Sequence, residues 1–216
     1  MTRIAFQGLP GAYSDLACRT AYPELTPLPC HTFEHAMDAV RAGDAALAML
    51  PCENSLAGRV PDIHALLPGS GLSIIGEHFQ RVEHCLLGVP GATVGDVRRV
   101  HSHSVALGQV RAILRELDAD TVVEADTAGS AKLVAEWGRR EDAAIASKLA
   151  AETYGLQVLR ANVEDAAHNT TRFYVTSKAP QTPPLSSQSA RVATPGSRSP
   201  RRPEPGVRRR TPGAGA

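Results

Sequence analysis

Short apolar runs alternate with stretches of helical period from residue 3 to about residue 177. Ile4-Ala5-Phe6 reads as a strand, followed by a Gly/Pro loop and an Ala-rich helix over residues 13–21. Thr32 is placed to cap a helix with Phe33, Ala36, Met37 and Val40 on one face, and Gly43 to end it. Residues 46–50 read as a buried strand that Pro51 stops, residues 60–67 as a helix, and residues 72–75 and 85–89 as strands. The second half repeats the alternation. A short strand over 98–101 leads into one helix with Ala106, Leu107, Val110, Ile113, Leu114 and Leu117 on a single face. Then come a strand over 121–123, a helix opened by Thr127, a strand over 143–146, and a helix over 148–154 closed by Gly155. Strands over 156–159 and 172–176 complete the pattern, and no internal repeat is visible. Strands alternating with helices predict an α/β fold with a mostly parallel sheet covered on both faces.

The apolar periodicity vanishes after Val175. Residues 179–216 hold eight of the 16 prolines and seven Arg against one Glu. Such a segment buries too little to offset its ordering entropy, which predicts a disordered basic tail. Its Arg208-Arg209-Arg210 cluster reads as solvated rather than as a nucleic-acid contact.

Charge then changes the picture of the body. The whole chain carries 23 Lys and Arg against 22 Asp and Glu, so with the basic tail set aside residues 1–178 are net −5. That acidity argues against a nucleic-acid-binding core. At 43% hydrophobic the chain can bury a sizeable core, yet no run approaches the ~20 apolar residues a membrane-spanning helix needs. The N-terminal apolar run is too short for a signal-peptide core. Cys18, Cys30, Cys52 and Cys85 lie far apart, with no CxxC and no His at zinc spacing. Reduced cysteines, a cytoplasmic location and no membrane partner are the expectations.

Four polar clusters sit where α/β proteins place ligand groups, in loops after strands. Gly8-Leu9-Pro10-Gly11-Ala12-Tyr13-Ser14 is either a turn from strand to helix or an anion site at a helix start. Pro51-Cys52-Glu53-Asn54-Ser55 sets an acid, an amide and a hydroxyl in succession, or else caps the next segment. Ser102 and Gln109 are seven residues apart, which on a continuous helix shares one face; His103 beside them reads as structural or solvated. His168-Asn169-Thr170-Thr171-Arg172-Phe173 runs as a polar loop into the last strand.

In order and spacing over about residues 3–178, these clusters resemble the prephenate dehydratases, together with Asp126-Thr127-Ala128 and the run from Ala150 to Leu156. Asn169-Thr170-Thr171-Arg172-Phe173 carries the resemblance most specifically, and Glu53-Asn54-Ser55 comes next. The resemblance implies two α/β lobes of the periplasmic-binding-protein type 2 kind, lobe one at 1–77 plus 165–178 and lobe two at 78–164, with the active site in the cleft. It implies decarboxylating dehydration of prephenate to phenylpyruvate, water and carbon dioxide, within phenylalanine biosynthesis. The ring gains aromaticity as the carboxylate leaves, so the reaction needs no electron sink, and neither a metal nor an organic cofactor is implied. Thr171, Glu53 and Asn54 are implied as catalytic, with Thr171 donating to the departing hydroxyl. Ser55, Ser102, Gln109, Thr127, Asn169 and Arg172 are implied as substrate-binding. Because side chains alternate along a strand, Thr171 and Arg172 should point oppositely, and an ion pair is the competing role for Arg172.

Two departures qualify the match. Ser104 and Val105 stand where the family usually has Pro and Gln, and nothing after Lys178 resembles its regulatory ACT domain. Feedback by phenylalanine is therefore expected to be weak, and a homodimer is the candidate assembly. The tail has the composition of GC-rich codons read out of phase, which suggests a shifted frame from about residue 179; a genuine basic arm is the alternative. An arogenate dehydratase and a non-catalytic small-molecule-binding module are the competing functions.

Overall fold

The computed structural model describes residues 2–180; readings made for residues 181–216 fall outside it. The chain runs β1 (Arg3–Gln7), α1 (Tyr13–Ala21), β2 (Thr26–Cys30), α2 (Phe33–Ala42), β3 (Leu47–Asn54), β4 (Gly58–Arg59), α3 (Pro61–Leu66) and β5 (Ser73–Arg81). It continues with β6 (Cys85–Gly88), β7 (Arg99–Ser102), α4 (Ser104–Gly108), α5 (Arg111–Leu117), β8 (Asp120–Val123) and α6 (Thr127–Trp137). The last elements are β9 (Asp142–Ala146), α7 (Lys148–Tyr154), β10 (Gln157–Arg160) and β11 (Thr170–Ser177).

These strands form two sheets. The first has the order β2-β1-β3-β11-β5, with β4 folded back on β3, and the second has the order β10-β6-β9-β7-β8. Alternation sends Ile4, Phe6, Met49 and Phe173 to one face of the first sheet, against Ala17 and Cys18 of α1. Ala5, Ala48 and Leu50 go to the other face, against Ala36, Met37 and Val40 of α2. The second sheet is likewise covered twice. Leu87, Ala144 and Ala146 meet α6 and α7, while Leu86, Val100 and Ile145 meet α4 and α5. Each fully buried Leu, Ile or Phe contributes about 1.5–3 kcal/mol.

The alternating pattern is right, but the expectation of mostly parallel sheets is not. β1 is parallel to β2 and β3, whereas β11 is antiparallel to both β3 and β5. β11 returns from the second sheet and enters the first against its strands, a direction no local signal encodes. In the second sheet β7 is parallel to β8 and β9, and β6 is antiparallel to β9 and β10.

Pro51 does not stop β3, which runs on to Asn54. Pairing with β1 ends at Met49, and the register with β11 shifts beside Phe173, the partner of Pro51. A proline fits a central strand at such an irregularity because no ladder donor is asked of it. β2, Thr-Pro-Leu-Pro-Cys, escapes the sequence reading because two prolines spoil the strand signal. It is an edge strand on which Pro27 and Pro29, two apart, place their missing N–H groups on the same open side. β5 reaches Arg81, so the chain leaves the first sheet later than the expected boundary at 77/78. The helix expected after residue 102 is two, α4 and α5, broken at Gln109 and Val110.

Among the described residues, no helix is long and apolar enough to cross a membrane.

Candidate active site

Two segments join the sheets and run side by side. The Val82 N–H donates to the Asn169 carbonyl at 2.9 Å, and the Val163 N–H donates to the His84 carbonyl at 2.9 Å. Of the expected site residues, Asn54, Ser55, Gln109, Asn169 and Thr171 come together at these crossings, where β11 begins and lies beside the end of β3. Pairing sets Thr171 opposite Asn54 and Arg172 opposite Glu53.

Directly paired residues of antiparallel strands share a face, and neighbours along a strand do not. Asn54 and Thr171 accordingly meet: Asn54 Nδ2 donates to Thr171 Oγ1 at 3.0 Å and to Asn169 Oδ1 at 2.8 Å. Asn54 Oδ1 accepts the Leu56 and Ala57 N–H groups at 3.0 and 2.9 Å, which settles the amide's orientation. Asn169 is fully buried and donates through Nδ2 to Gln109 Oε1 at 2.8 Å. Ser55 ties the same loops together, donating to the His168 carbonyl and accepting the Thr170 N–H, both at 3.0 Å.

Other expected residues are placed elsewhere. Glu53, catalytic by expectation, lies with Arg172 on the opposite face from Thr171, and the two are 3.9 Å apart. Arg172 pairs with Glu77 and stacks its guanidinium 5.4 Å from the Tyr174 ring centre, an ion-pair partner on the face away from Thr171. Strand alternation is the cause of both placements. Ser102 is fully buried, and its hydroxyl donates to the Ile145 carbonyl at 2.7 Å inside the second sheet. Ser102 ends β7 whereas Gln109 follows α4, so they do not share a helix face. Thr127 is the first residue of α6, beside its cap Asp126, and makes none of these hydrogen bonds. His103 caps α4, its Nδ1 accepting the Val105 N–H at 3.3 Å.

A cavity of about 440 Å³ is lined by Leu56, Ala57, Val105, Gly108, Gln109, Asp165 and Ala166. Its size suits a small organic ligand. Gln109 belongs to both the cavity and the hydrogen-bond network. Asp165 and His84 escape the sequence reading, and Tyr13 enters it only as part of the cluster over residues 8–14. Asp165 accepts the first N–H groups of α5 from Arg111 and Ala112 at 2.8 and 3.0 Å. His84 is buried and places Nε2 2.9 Å from Gln109 Oε1, and Tyr13 sets its hydroxyl 2.8 Å from His84 Nδ1. Their partners lie 25 to 71 residues away in the chain, so no local pattern reveals them. Burial holds the His84 imidazole below its usual pKa, against the opposing pull of Gln109 and Glu164. Burial, then Cys85, Glu164 and Glu83, hold the Tyr13 phenol well above its own. Among the described residues no three His, Cys, Asp or Glu side chains are grouped to hold a metal ion.

The family profile of prephenate dehydratase matches residues 4–181. The chain belongs to the prephenate dehydratase family. A bifunctional N-acyl-homoserine lactone acylase/prephenate dehydratase of Komagataeibacter europaeus is 68% identical over 84% of this chain and 64% of its own length. Arogenate dehydratase 1 of Petunia hybrida is 43% identical over 84% of this chain and 43% of its own. The crystal structure of the Arthrobacter aurescens prephenate dehydratase with L-Phe matches at a TM-score of 0.78 and 31% identity, covering 86% of this chain and 63% of that one. The chain thus spans less than two thirds of the length of these dehydratase relatives.

Proposed function

We propose that the chain catalyses the decarboxylating dehydration of prephenate to phenylpyruvate, water and carbon dioxide. The observation that carries this reading is the state of the Thr171 hydroxyl. Its oxygen accepts an N–H from Asn54, and its proton has no acceptor among the described residues. A hydroxyl held in this way has its proton left to donate. In the reaction the ring C–O bond breaks and the oxygen leaves as water after taking up one proton. The electron pair of the breaking carboxylate bond enters the ring, which becomes aromatic, and carbon dioxide departs. An aliphatic hydroxyl is a weak acid, so Thr171 acts as a positioned donor through which a solvent proton is relayed. Asn54 and Asn169 hold that donor in place, where small displacements cost much rate.

In this reading each sheet with its helices is one lobe. The first comprises residues up to Arg81 and residues 170–180, the second the residues between, and substrate sits at the crossings. Dehydration of arogenate, the amino-acid analogue, rests on the same donor and is supported by the Petunia relative. Hydrolysis of N-acyl-homoserine lactones is a second reading, favoured by the name and 68% identity of the Komagataeibacter relative. It needs an activated nucleophile, and the hydroxyls of Thr171 and Ser102 hydrogen-bond to an amide and a carbonyl rather than to a base.

Turnover of prephenate and arogenate by the wild type and by Thr171→Ala tests the proposal, with release of homoserine lactone from an N-acyl substrate as a control. The substitution is expected to lower kcat by about 10²–10³-fold and to leave substrate affinity within about tenfold. Binding of prephenate without any product would make the chain a binding module. Lactone release with no dehydration would favour the second reading.

A further inference from the structure

We propose that His84 is a positioning residue for substrate binding, donating from Nε2 to Gln109 Oε1 and thereby leaving the Gln109 NH₂ group for an acceptor in the cavity. The inference rests on the dehydratase reading for the identity of that acceptor, a substrate carboxylate.

The hydrogen-bond directions can be followed from one end of the network to the other. Asn54 is oriented by two backbone N–H groups, so its NH₂ is what meets Asn169. Asn169 must therefore present Oδ1 to Asn54 and its NH₂ to Gln109. Gln109 answers with Oε1, which lies 2.8 Å from Asn169 Nδ2 and 2.9 Å from His84 Nε2. A carbonyl oxygen only accepts, so His84 Nε2 carries a hydrogen and the neutral ring keeps Nδ1 as an acceptor; the single Tyr13 hydroxyl hydrogen then lies between Nδ1 at 2.8 Å and the Glu83 carbonyl at 2.9 Å. Both lone pairs of Gln109 Oε1 are then taken. Its NH₂ has no acceptor among the described residues, and Gln109 lines the cavity.

His84 is well placed to impose this order. It lies on the segment that leaves the first sheet, where its N–H donates to Glu164 Oε2 at 2.9 Å and its carbonyl accepts the Val163 N–H. Tyr13 packs edge-on against the ring, with centres 5.5 Å apart. A glutamine has three rotatable side-chain bonds, and one buried amide alone holds it loosely. The ring is the second, rigid donor that chooses which end of the Gln109 amide faces the cavity. An anchor that grips a carboxylate charged throughout the reaction contributes equally to ground and transition states, so its loss is read in KM rather than kcat.

Steady-state kinetics on prephenate and ¹⁵N NMR of the imidazole and side-chain amides test the proposal together. His84→Asn keeps a group near Nδ1 but loses the Nε2 donor. It is expected to raise KM about tenfold with kcat changed less than about threefold. His84→Gln reaches the Nε2 position and is expected to restore KM to within about threefold of wild type. In a Gln109→Leu background, His84→Asn should add less than about twofold, because the route through which it acts is already gone. Additive effects, or a His84→Gln enzyme as impaired as His84→Asn, overturn the proposal. The NMR arm needs neither substrate nor variant. Wild-type His84 carrying its proton on Nε2 supports the proposal, and a bare Nε2 overturns it, even if the chain turns over no prephenate or a variant fails to fold. Failure of wild-type turnover alone counts against the dehydratase reading and leaves the NMR result to decide this one.

Discussion

Asn54 has two N–H bonds and three oxygens within reach, those of Asn169 at 2.8 Å, Thr171 at 3.0 Å and the Thr170 carbonyl at 3.3 Å. The two shorter contacts take its hydrogens. One residue earlier, Glu53 points to the other face, where Arg172 and Glu77 satisfy one another. A motif written as consecutive letters thus divides between two faces. His84 offers a residue-scale prediction. Its pKa is lowered chiefly by burial, with Gln109, Glu164, Glu83 and Tyr13 as its polar and titratable neighbours. As pH falls past the ordinary value of about 6.5, the unfolded chain takes up a proton that the folded chain refuses. Stability is therefore lost from about pH 6.5 down to the depressed folded value and levels off below it. Urea midpoints measured between pH 7.5 and 5 should fall more steeply for wild type than for His84→Gln. Equal slopes would show that His84 titrates alike in both states.

At the scale of elements, α2 and α5 contrast two ways of starting a helix. Thr32 caps α2 three residues ahead, accepting the His35 N–H at 3.2 Å, and Gly43 closes it at φ 88°. Both signals are local and both are readable in the letters. α5 begins at Arg111 after Val110, which has no capping side chain, and borrows the carboxylate of Asp165 from 54 residues away. The apolar period of α4 and α5 is continuous, so it suggests one helix. The break at Gln109 exists because Asp165 also donates its N–H to the Gln109 carbonyl, at 2.8 Å. Asp165→Ala should cost about 1–2 kcal/mol in chemical denaturation, the range for a lost cap. A change below about 0.3 kcal/mol would mean that water replaces the carboxylate without penalty.

Across the whole described body, the turn after β1 bears on α7 of the second sheet. Ser147 Oγ donates to the Gly11 carbonyl at 2.6 Å, and the Tyr154 hydroxyl donates to the Pro10 carbonyl at 2.8 Å. Gly11 has φ +89°, and a Cβ there would stand 2.7 Å from the Ala150 Cα. Backbone cannot yield as a flexible side-chain end can, so Gly11→Ala combines strain with a clash. It should destabilise by about 1–3 kcal/mol and lower Tm by several degrees in a scan. An unchanged Tm would mean that this junction opens at little cost. Sequence alone determined most of the elements, the helix caps at Thr32 and Gly43, the α/β class and the family, because period, caps and motif order are properties of neighbouring residues. The tertiary structure decided the direction of β11, the face each motif residue occupies, the broken helix and the partners of His84, Asp165 and Asn169. Those depend on strands and loops meeting across 25 to 115 residues of chain, and alternation states that a side chain has a face without stating what lies opposite.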